Sequence, residues 1–212
     1  MSPVCRRALV GFALAVLALS TVACGSDPDP ESVVPSSVSP PDLTSAPAKL
    51  SWDTWRGVRL PRSSIDGPSQ SAQVVAMGYR HSPQGAVLAA IRGQVHLGMA
   101  SDSEWGRTVA LVSAPGPGRE EFAAQRVVLS ISGSVPAESA PKYIAFKVNH
   151  YSDTAAAVRI VTEIGTPTQT FDYPVALSWI DNDWRIVLPT SAEAIDAAEV
   201  TSLDGYTRLE GS

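Results

Sequence analysis

Alternating apolar and polar residues dominate the second half of the chain. Apolar residues recur at every second position in four consecutive segments, at residues 143–150, 156–164, 171–179 and 184–188, with Thr162 as an exception in the second. Because side chains alternate between the two faces of a strand, each segment predicts a strand with one buried face. Short turn-forming stretches separate the segments, at residues 151–153, 165–167 and 181–183. Strands joined by such turns predict an antiparallel meander.

A helical period precedes these strands. Apolar residues recur there at spacings of three and four, at Leu88, Ile91, Val95 and Met99. Ser82 and Pro83 stand just before this stripe, as a favoured N-cap residue followed by a favoured first helical residue. Further helices are predicted from Ser101 or Ser103, over residues 119–126 and over residues 190–200.

These elements predict an α+β fold. In this fold, N-terminal helices pack on the apolar face of a curved four-stranded antiparallel sheet. The folded region is expected to begin near residue 50, with an extended entry segment that carries Trp52 and Trp55.

The first 24 residues predict an export signal. Arg6 and Arg7 precede an apolar run at 8–19. This run is shorter than the roughly 20 residues that a membrane-spanning helix needs. Small residues then lead to Cys24, an order typical of bacterial lipoproteins, in which the signal is cut before the cysteine and the thiol is lipidated. We favour lipidation, although Thr21 stands where leucine is usual. In the alternative, the signal is an ordinary one and Cys24 is incidental.

The expected division is a signal peptide at 1–23, a linker at 24–49 that starts with the lipidated cysteine, and the α+β domain at 50–212. Pro, Ser and Asp dominate the linker, which has no aromatic residue and therefore predicts disorder. At about 3.1 Å per residue in the polyproline II conformation, the linker would reach on the order of 75 Å and hold a domain away from a membrane. A tether with no length requirement is the alternative.

Composition narrows the range of partners. Cys5 lies in the leader, so Cys24 would be the sole cysteine of the exported chain and no intrachain disulfide could form. The chain has 16 Lys and Arg against 21 Asp and Glu, a net charge of −5, and loss of Arg6 and Arg7 makes it 14 − 21 = −7. We therefore expect no nucleic-acid partner, and membrane attachment through the lipid on Cys24 alone.

No residue pattern predicts a catalytic, cofactor or metal site. The chain has three histidines, which lack the spacing of metal ligands: His81, His96 and His150. His150, Ser152 and Asp153 have the residue types of a hydrolytic triad, but they fall in one turn, whereas triad residues meet through the fold. The strand pattern places Asp172 on the face opposite to the apolar residues.

Four segments resemble known families. The hairpin WIDNDWRIVLP at 179–189, coming after helices and strands, resembles the closing hairpin of the NTF2-like roll. An uncharacterised family of actinobacterial lipoproteins is similar in WRGVRLPRSSIDGP at 55–68, GYRHSPQGAVLAA at 78–90 and LDGYTRL at 203–209. The resemblance covers residues 52–209 and implies an NTF2-like or cystatin-like roll. Some members are linked to conjugative elements, which implies a role among the envelope proteins of conjugation.

We therefore expect a lipid-anchored protein on the extracytoplasmic face of the cell membrane, whose non-catalytic domain binds envelope proteins. Trp52 and Trp55 are the candidate interaction surface, although for both residues we favour simple coverage of a sheet edge. Two other functions stay open. One is carriage of a small apolar ligand in the cavity of the roll; the other is an NTF2-like enzyme, which would place His81, His150 or Asp172 in a pocket. Self-association stays open as well.

Overall fold

The computed structural model describes residues 39–71, 74–131 and 134–211, and these begin with two hairpins. The first hairpin joins β1 (Leu50–Trp55) to β2 (Val58–Ser63), and the second joins β3 (Gln70–Ser71) to β4 (Ala76–Met77). The predicted leader and Cys24 lie outside the described residues.

Three helices follow the hairpins: α1 (Pro83–Met99), α2 (Trp105–Val112) and α3 (Pro117–Arg126). The helices therefore do not come first, and the predicted order is corrected. A two-residue turn at Arg56 and Gly57, with φ of 50° and 89°, folds β2 back on β1 where the sequence indicated only an extended entry. Within the described ranges, no helix is both long and apolar enough to cross a membrane.

The main sheet contains six strands rather than the four that were predicted. They are β5 (Lys142–Tyr151), β6 (Ala155–Ile164), β7 (Gln169–Ile180), β8 (Asp183–Val187), β9 (Ala198–Glu199) and β10 (Thr207–Arg208). The four longest form the predicted antiparallel meander in the order β5-β6-β7-β8. The two short strands extend its edges: β10 pairs with β5, and β9 pairs with β7 beyond the end of β8.

The helix predicted over residues 190–200 is absent, and this prediction is wrong. Glu193 does accept hydrogen bonds from the backbone N–H and the hydroxyl of Thr190, as a helix-capping pair would. The helical hydrogen bonding stops after a single turn, and Ala198 then pairs with Asp172 of β7.

The core lies between α1 and one face of the main sheet. The helix begins as predicted, because Pro83 is its first residue and the Ser82 hydroxyl accepts a hydrogen bond from the Gly85 N–H at 3.1 Å. Two register shifts in the pairing of β5 with β6 mark bulges, which are expected to bend the sheet around the helix. The hairpin of β1 and β2 covers another side of α1, so this helix is buried on most of its surface.

Gly93 allows α1 to approach the sheet closely. A Cβ atom at this position would stand 2.7 Å from Ile186 Cδ1 and 3.0 Å from Val112 Cγ1. Gly98 of the same helix differs, because it is exposed and a Cβ atom there would have no neighbour within 4 Å.

Residues 42–48, which were predicted to belong to the linker, contact the domain. The Ala48 N–H donates to Asp66 Oδ2 at 3.0 Å, and Thr207 Oγ1 donates to the Thr44 carbonyl at 2.6 Å. The folded unit, residues 39–212, therefore begins before the expected boundary at 50.

Replacement of Gly93 by alanine should lower the free energy of unfolding by about 1–3 kcal/mol, because the new methyl group displaces Ile186 or separates α1 from the sheet. The matched control is Gly98→Ala, in open space on the same helix, which should raise stability by up to about 1 kcal/mol through helix propensity. Urea unfolding of both variants measures the difference. Equal stability of the two variants would contradict this packing.

Candidate interaction surface

Trp52 and Trp55, the predicted interaction surface, are half-buried and engaged in internal contacts. Trp52 Nε1 donates to the Glu210 carbonyl at 2.9 Å, and the Arg59 guanidinium lies 5.4 Å from its ring centre. Trp55 contacts the ring of His96 edge-on, with 4.5 Å between centroids. These contacts favour the alternative, in which both tryptophans cover the domain. Their role as an interaction surface stays a prediction.

His96 is buried beneath the first hairpin, with 3% of its surface exposed. Neither ring nitrogen has a hydrogen-bond partner among the described residues. Burial lowers the pKa of His96 to about 4, and the nearby Arg92 and Arg56 guanidiniums act in the same direction. The ring is therefore neutral at physiological pH and serves as packing for Trp55.

The polar residues that an NTF2-like enzyme would place in one pocket, His81, His150 and Asp172, lie apart from one another. His81 is exposed and stacks on Trp179, with 4.1 Å between centroids and 12° between planes. His150 is exposed on the opposite, outer face of the sheet. Ser152 accepts hydrogen bonds from the Thr154 and Ala155 N–H groups, which fixes a turn. No group of three or more potential metal-ligating side chains occurs in the described parts of the chain.

Asp172 also lies on the outer face, as predicted, but it is buried there. It accepts hydrogen bonds from Arg159 and from the Tyr206 hydroxyl. The Arg159 guanidinium lowers the pKa of Asp172 against the opposing effect of burial. A carboxylate held ionised in this way fastens the C-terminal residues across the sheet.

Large apolar side chains occupy the interior between α1 and the main sheet. Phe146 and Ile160 of neighbouring strands are fully buried, as are Leu88 and Ile91 of α1. An apolar space opens instead at the sheet edge, where β8 has ended and β9 has not begun. This edge groove has a volume of about 580 Å³, and its apolar lining includes Tyr173, Val175, Ile186, Leu188 and Ile195.

Pro174 stands at this gap in the edge of the sheet. Backbone groups at every second residue of a strand point to the same neighbour. The Thr170 carbonyl accepts a hydrogen bond from the Val200 N–H, so the backbone groups of Thr170 point toward β9. Pro174 is four residues further along β7, and its backbone groups therefore point toward the same side. The position where a partner strand is absent is thus occupied by a residue with no N–H to donate.

The most exposed apolar surface follows α3. Val127, Val128 and Leu129 are 69%, 84% and 56% exposed, and we name these three consecutive residues the apolar tip. Exposed apolar residues scattered singly are ordinary, whereas a contiguous group is typical of a contact site.

A buried arginine holds the apolar tip in place. Arg126 donates to the carbonyls of Ala100, at 2.9 Å, and Leu129, at 2.5 Å, and to Asp102 Oδ1 at 3.1 Å. Asp102 in turn accepts from the Ile131 N–H at 3.1 Å. Hydrogen bonds from Ser130, Ile131 and Arg126 lower the pKa of Asp102 to about 2. The tip is therefore presented by a network of charge-assisted hydrogen bonds.

Sequence reasoning missed the apolar tip because an apolar run ordinarily predicts burial. The run at 127–129 has no period that would distinguish an exposed turn from a strand. Its three side chains could each contribute about 1–2 kcal/mol to an association that buries them.

Replacement of His96 by leucine should flatten the pH dependence of stability. The folded-state pKa, about 4, lies below the ordinary value of 6.5, so the unfolded chain takes up the proton first as pH falls. The contribution of neutral His96 is complete above about pH 6.5 and is lost as pH falls to about 4, by up to about 3 kcal/mol. Unfolding of parent and variant between pH 4 and 7 measures the difference, with His150→Leu, at an exposed position, as the control. Parallel profiles for parent and His96→Leu would contradict the burial of a neutral ring.

Comparison with known proteins identifies the family but no function. No curated protein and no solved structure is significantly similar to this chain. A family model described as a domain of unknown function, DUF8175, matches residues 18–208, which include the predicted linker and nearly all of the folded unit. The chain therefore belongs to the DUF8175 family.

Proposed function

We propose that this protein is a lipid-anchored, extracytoplasmic binding module whose apolar tip docks into an apolar recess of another envelope protein. The observation that carries the proposal is the combination of high exposure and fixed position at Val127, Val128 and Leu129. The module acts by binding, without catalysis.

The construction of the tip supports binding. The Arg126 side chain, 3% exposed, donates to two carbonyls and one carboxylate around the tip. Because these bonds order the turn before any partner arrives, association loses little conformational entropy. Three exposed apolar residues have a cost in solubility, which a binding partner would offset.

The anchor rests on the leader. The apolar run at 8–19 and the small residues before Cys24 support cleavage and lipidation at this cysteine. The family match begins at residue 18, so Cys24 and the linker belong to the part of the chain that the family shares. We place the domain outside the cytoplasm, tethered to the membrane through that lipid.

For the fold, we propose an NTF2-like roll with additions. Support comes from three helices that precede a bulged antiparallel meander, with α1 across its apolar face. The two N-terminal hairpins and the edge strands β9 and β10 are the additions. A role in conjugation rests on the resemblance to actinobacterial lipoproteins alone.

Replacement of Val128 by aspartate should reduce partner binding at least ten-fold, because a carboxylate would have to be desolvated in the recess. Crosslinking in the native envelope followed by quantitative co-purification measures the loss. Stability should stay within about 0.5 kcal/mol of the parent, since the side chain is 84% exposed.

The matched control is Ile195→Asp, which introduces the same charge at a residue that is 69% exposed beside the edge groove. Partners lost with Val128→Asp but retained with Ile195→Asp identify the tip as the docking surface. The reverse pattern would place docking at the edge groove and overturn the proposal.

Replacement of Cys24 by alanine should move the protein from the membrane fraction to the soluble fraction, because the thiol that carries the lipid is gone. Fractionation with immunodetection measures the distribution, and Cys5→Ala, within the leader, is the matched control. Membrane retention of Cys24→Ala would exclude a lipid on this cysteine as the anchor.

A further inference from the structure

A polar groove lies at the opposite end of α1 from the apolar tip. It is formed by the loop at 62–70, the loop at 78–80 and the turn between β7 and β8, and its volume is about 540 Å³. Side chains that can donate hydrogen bonds line it: Arg62, Arg80, Ser64, Gln70 and Asn182.

The two guanidiniums that line this groove have no partner among the described residues. Arg62 and Arg80 are exposed, and neither side chain makes an ion pair or a hydrogen bond among the described residues. By contrast, Arg92, Arg126 and Arg159 each bond to a carboxylate. Two unpaired arginines in one groove are notable in a chain whose net charge is −5.

The carboxylates nearest to the groove do not line it. Asp66 is buried and accepts from the Ala48 N–H and from the hydroxyls of Ser63 and Ser82. Asp183 is buried and accepts from the backbone N–H groups of residues 78, 79 and 184, at 2.8, 3.1 and 2.9 Å. Both carboxylates are thus occupied by internal hydrogen bonds, and neither is among the groove-lining side chains.

The exposed carboxylate of Asp181, next to the groove, pairs with Arg185. Asp181 does not line the groove, and its Oδ2 lies 3.9 Å from Arg185 Nη2. Arg62 and Arg80 are therefore the charged side chains that line the groove.

The walls of the groove are formed before any ligand binds. Ser63 and Gly67 exchange two backbone hydrogen bonds, of 2.8 and 3.0 Å, which close the loop between them. Across the groove, the Ser69 N–H donates to the Gly78 carbonyl at 3.1 Å, which ties the loop to the 78–80 segment. A preformed polar site binds with a small entropic cost.

We infer that this groove binds a phosphate group that is carried on a small polar or lipid headgroup. A guanidinium offers paired N–H donors that match two oxygens of an oxyanion. A phosphate carries more acceptor oxygens than a carboxylate and can accept from two guanidiniums. A volume of about 540 Å³ also exceeds what a phosphate alone would fill and leaves room for the group that the phosphate is esterified to.

Calorimetric titration of the full chain at low salt tests this inference. The probes are inorganic phosphate, glycerol 3-phosphate and a short-chain phosphatidylglycerol, with the matching phosphatidylcholine as the zwitterionic comparison. We expect glycerol 3-phosphate or phosphatidylglycerol to bind at least ten-fold more tightly than inorganic phosphate, and binding to weaken as salt is raised. Preference for glycerol 3-phosphate identifies a soluble ester, and preference for phosphatidylglycerol identifies a lipid headgroup.

The variants are Arg62→Gln and Arg80→Gln, each of which should weaken binding at least ten-fold without a change in the unfolding transition. The matched control is Arg107→Gln, an exposed arginine of α2, which removes the same charge outside the groove. Absence of binding for all probes, or an equal loss with Arg107→Gln, overturns the inference. The apolar tip is untouched by these changes, so this result is separable from that of Val128→Asp.

Discussion

The burial of α1 between the main sheet and the first hairpin is the constraint on which the rest of the domain depends. The backbone groups at the ends of a helix need partners from outside it, and near each end of α1 a charged side chain from another element makes hydrogen bonds. At the N-terminal end, the Asp66 carboxylate accepts from the capping residue Ser82. At the C-terminal end, Arg56 donates to the Met99 carbonyl and Arg126 to that of Ala100.

The polar groove and the apolar tip, the two surfaces proposed for binding, each depend on the hydrogen bonds at one end of α1. The loop that holds Asp66 also forms a wall of the polar groove. The arginine that caps Ala100 also fixes the apolar tip. A helix of 17 residues is about 25 Å long, so one rigid element holds the two surfaces roughly that far apart.

Local signals made part of this fold predictable. The start of α1 followed from Ser82 and Pro83, and the four long strands followed from alternation and short turns. The first hairpin was missed because its turn, Arg56-Gly57, lacks the Asn-Gly or Asp-Gly pair that usually indicates such a turn. Strands β9 and β10 have two residues each, and pairing with distant partners, rather than local pattern, decides their existence.

The candidate sites were harder to predict than the fold. Each site consists of side chains that remain exposed or unpaired after the long-range contacts of the fold have formed. Arginine is frequent along the chain, and only the pairing of residues 92, 126 and 159 with distant carboxylates distinguishes Arg62 and Arg80 from them. The exposure of Val127, Val128 and Leu129 likewise depends on Arg126 being turned inward. Trp52 and Trp55 could be named only as candidates for an exposed surface, because the sequence does not show the contacts of Trp52 with Glu210 and of Trp55 with His96.

Pro174 has a further consequence for how the molecule behaves at high local concentration. An interrupted sheet edge is a template for edge-to-edge aggregation, since unpaired backbone groups can recruit a strand from another molecule. At the gap between β8 and β9, the backbone group that faces outward belongs to a proline, so an incoming strand would find an acceptor without its donor. The opening can thus admit side chains while it resists growth of the sheet, which would let many copies crowd together on one surface without polymerising.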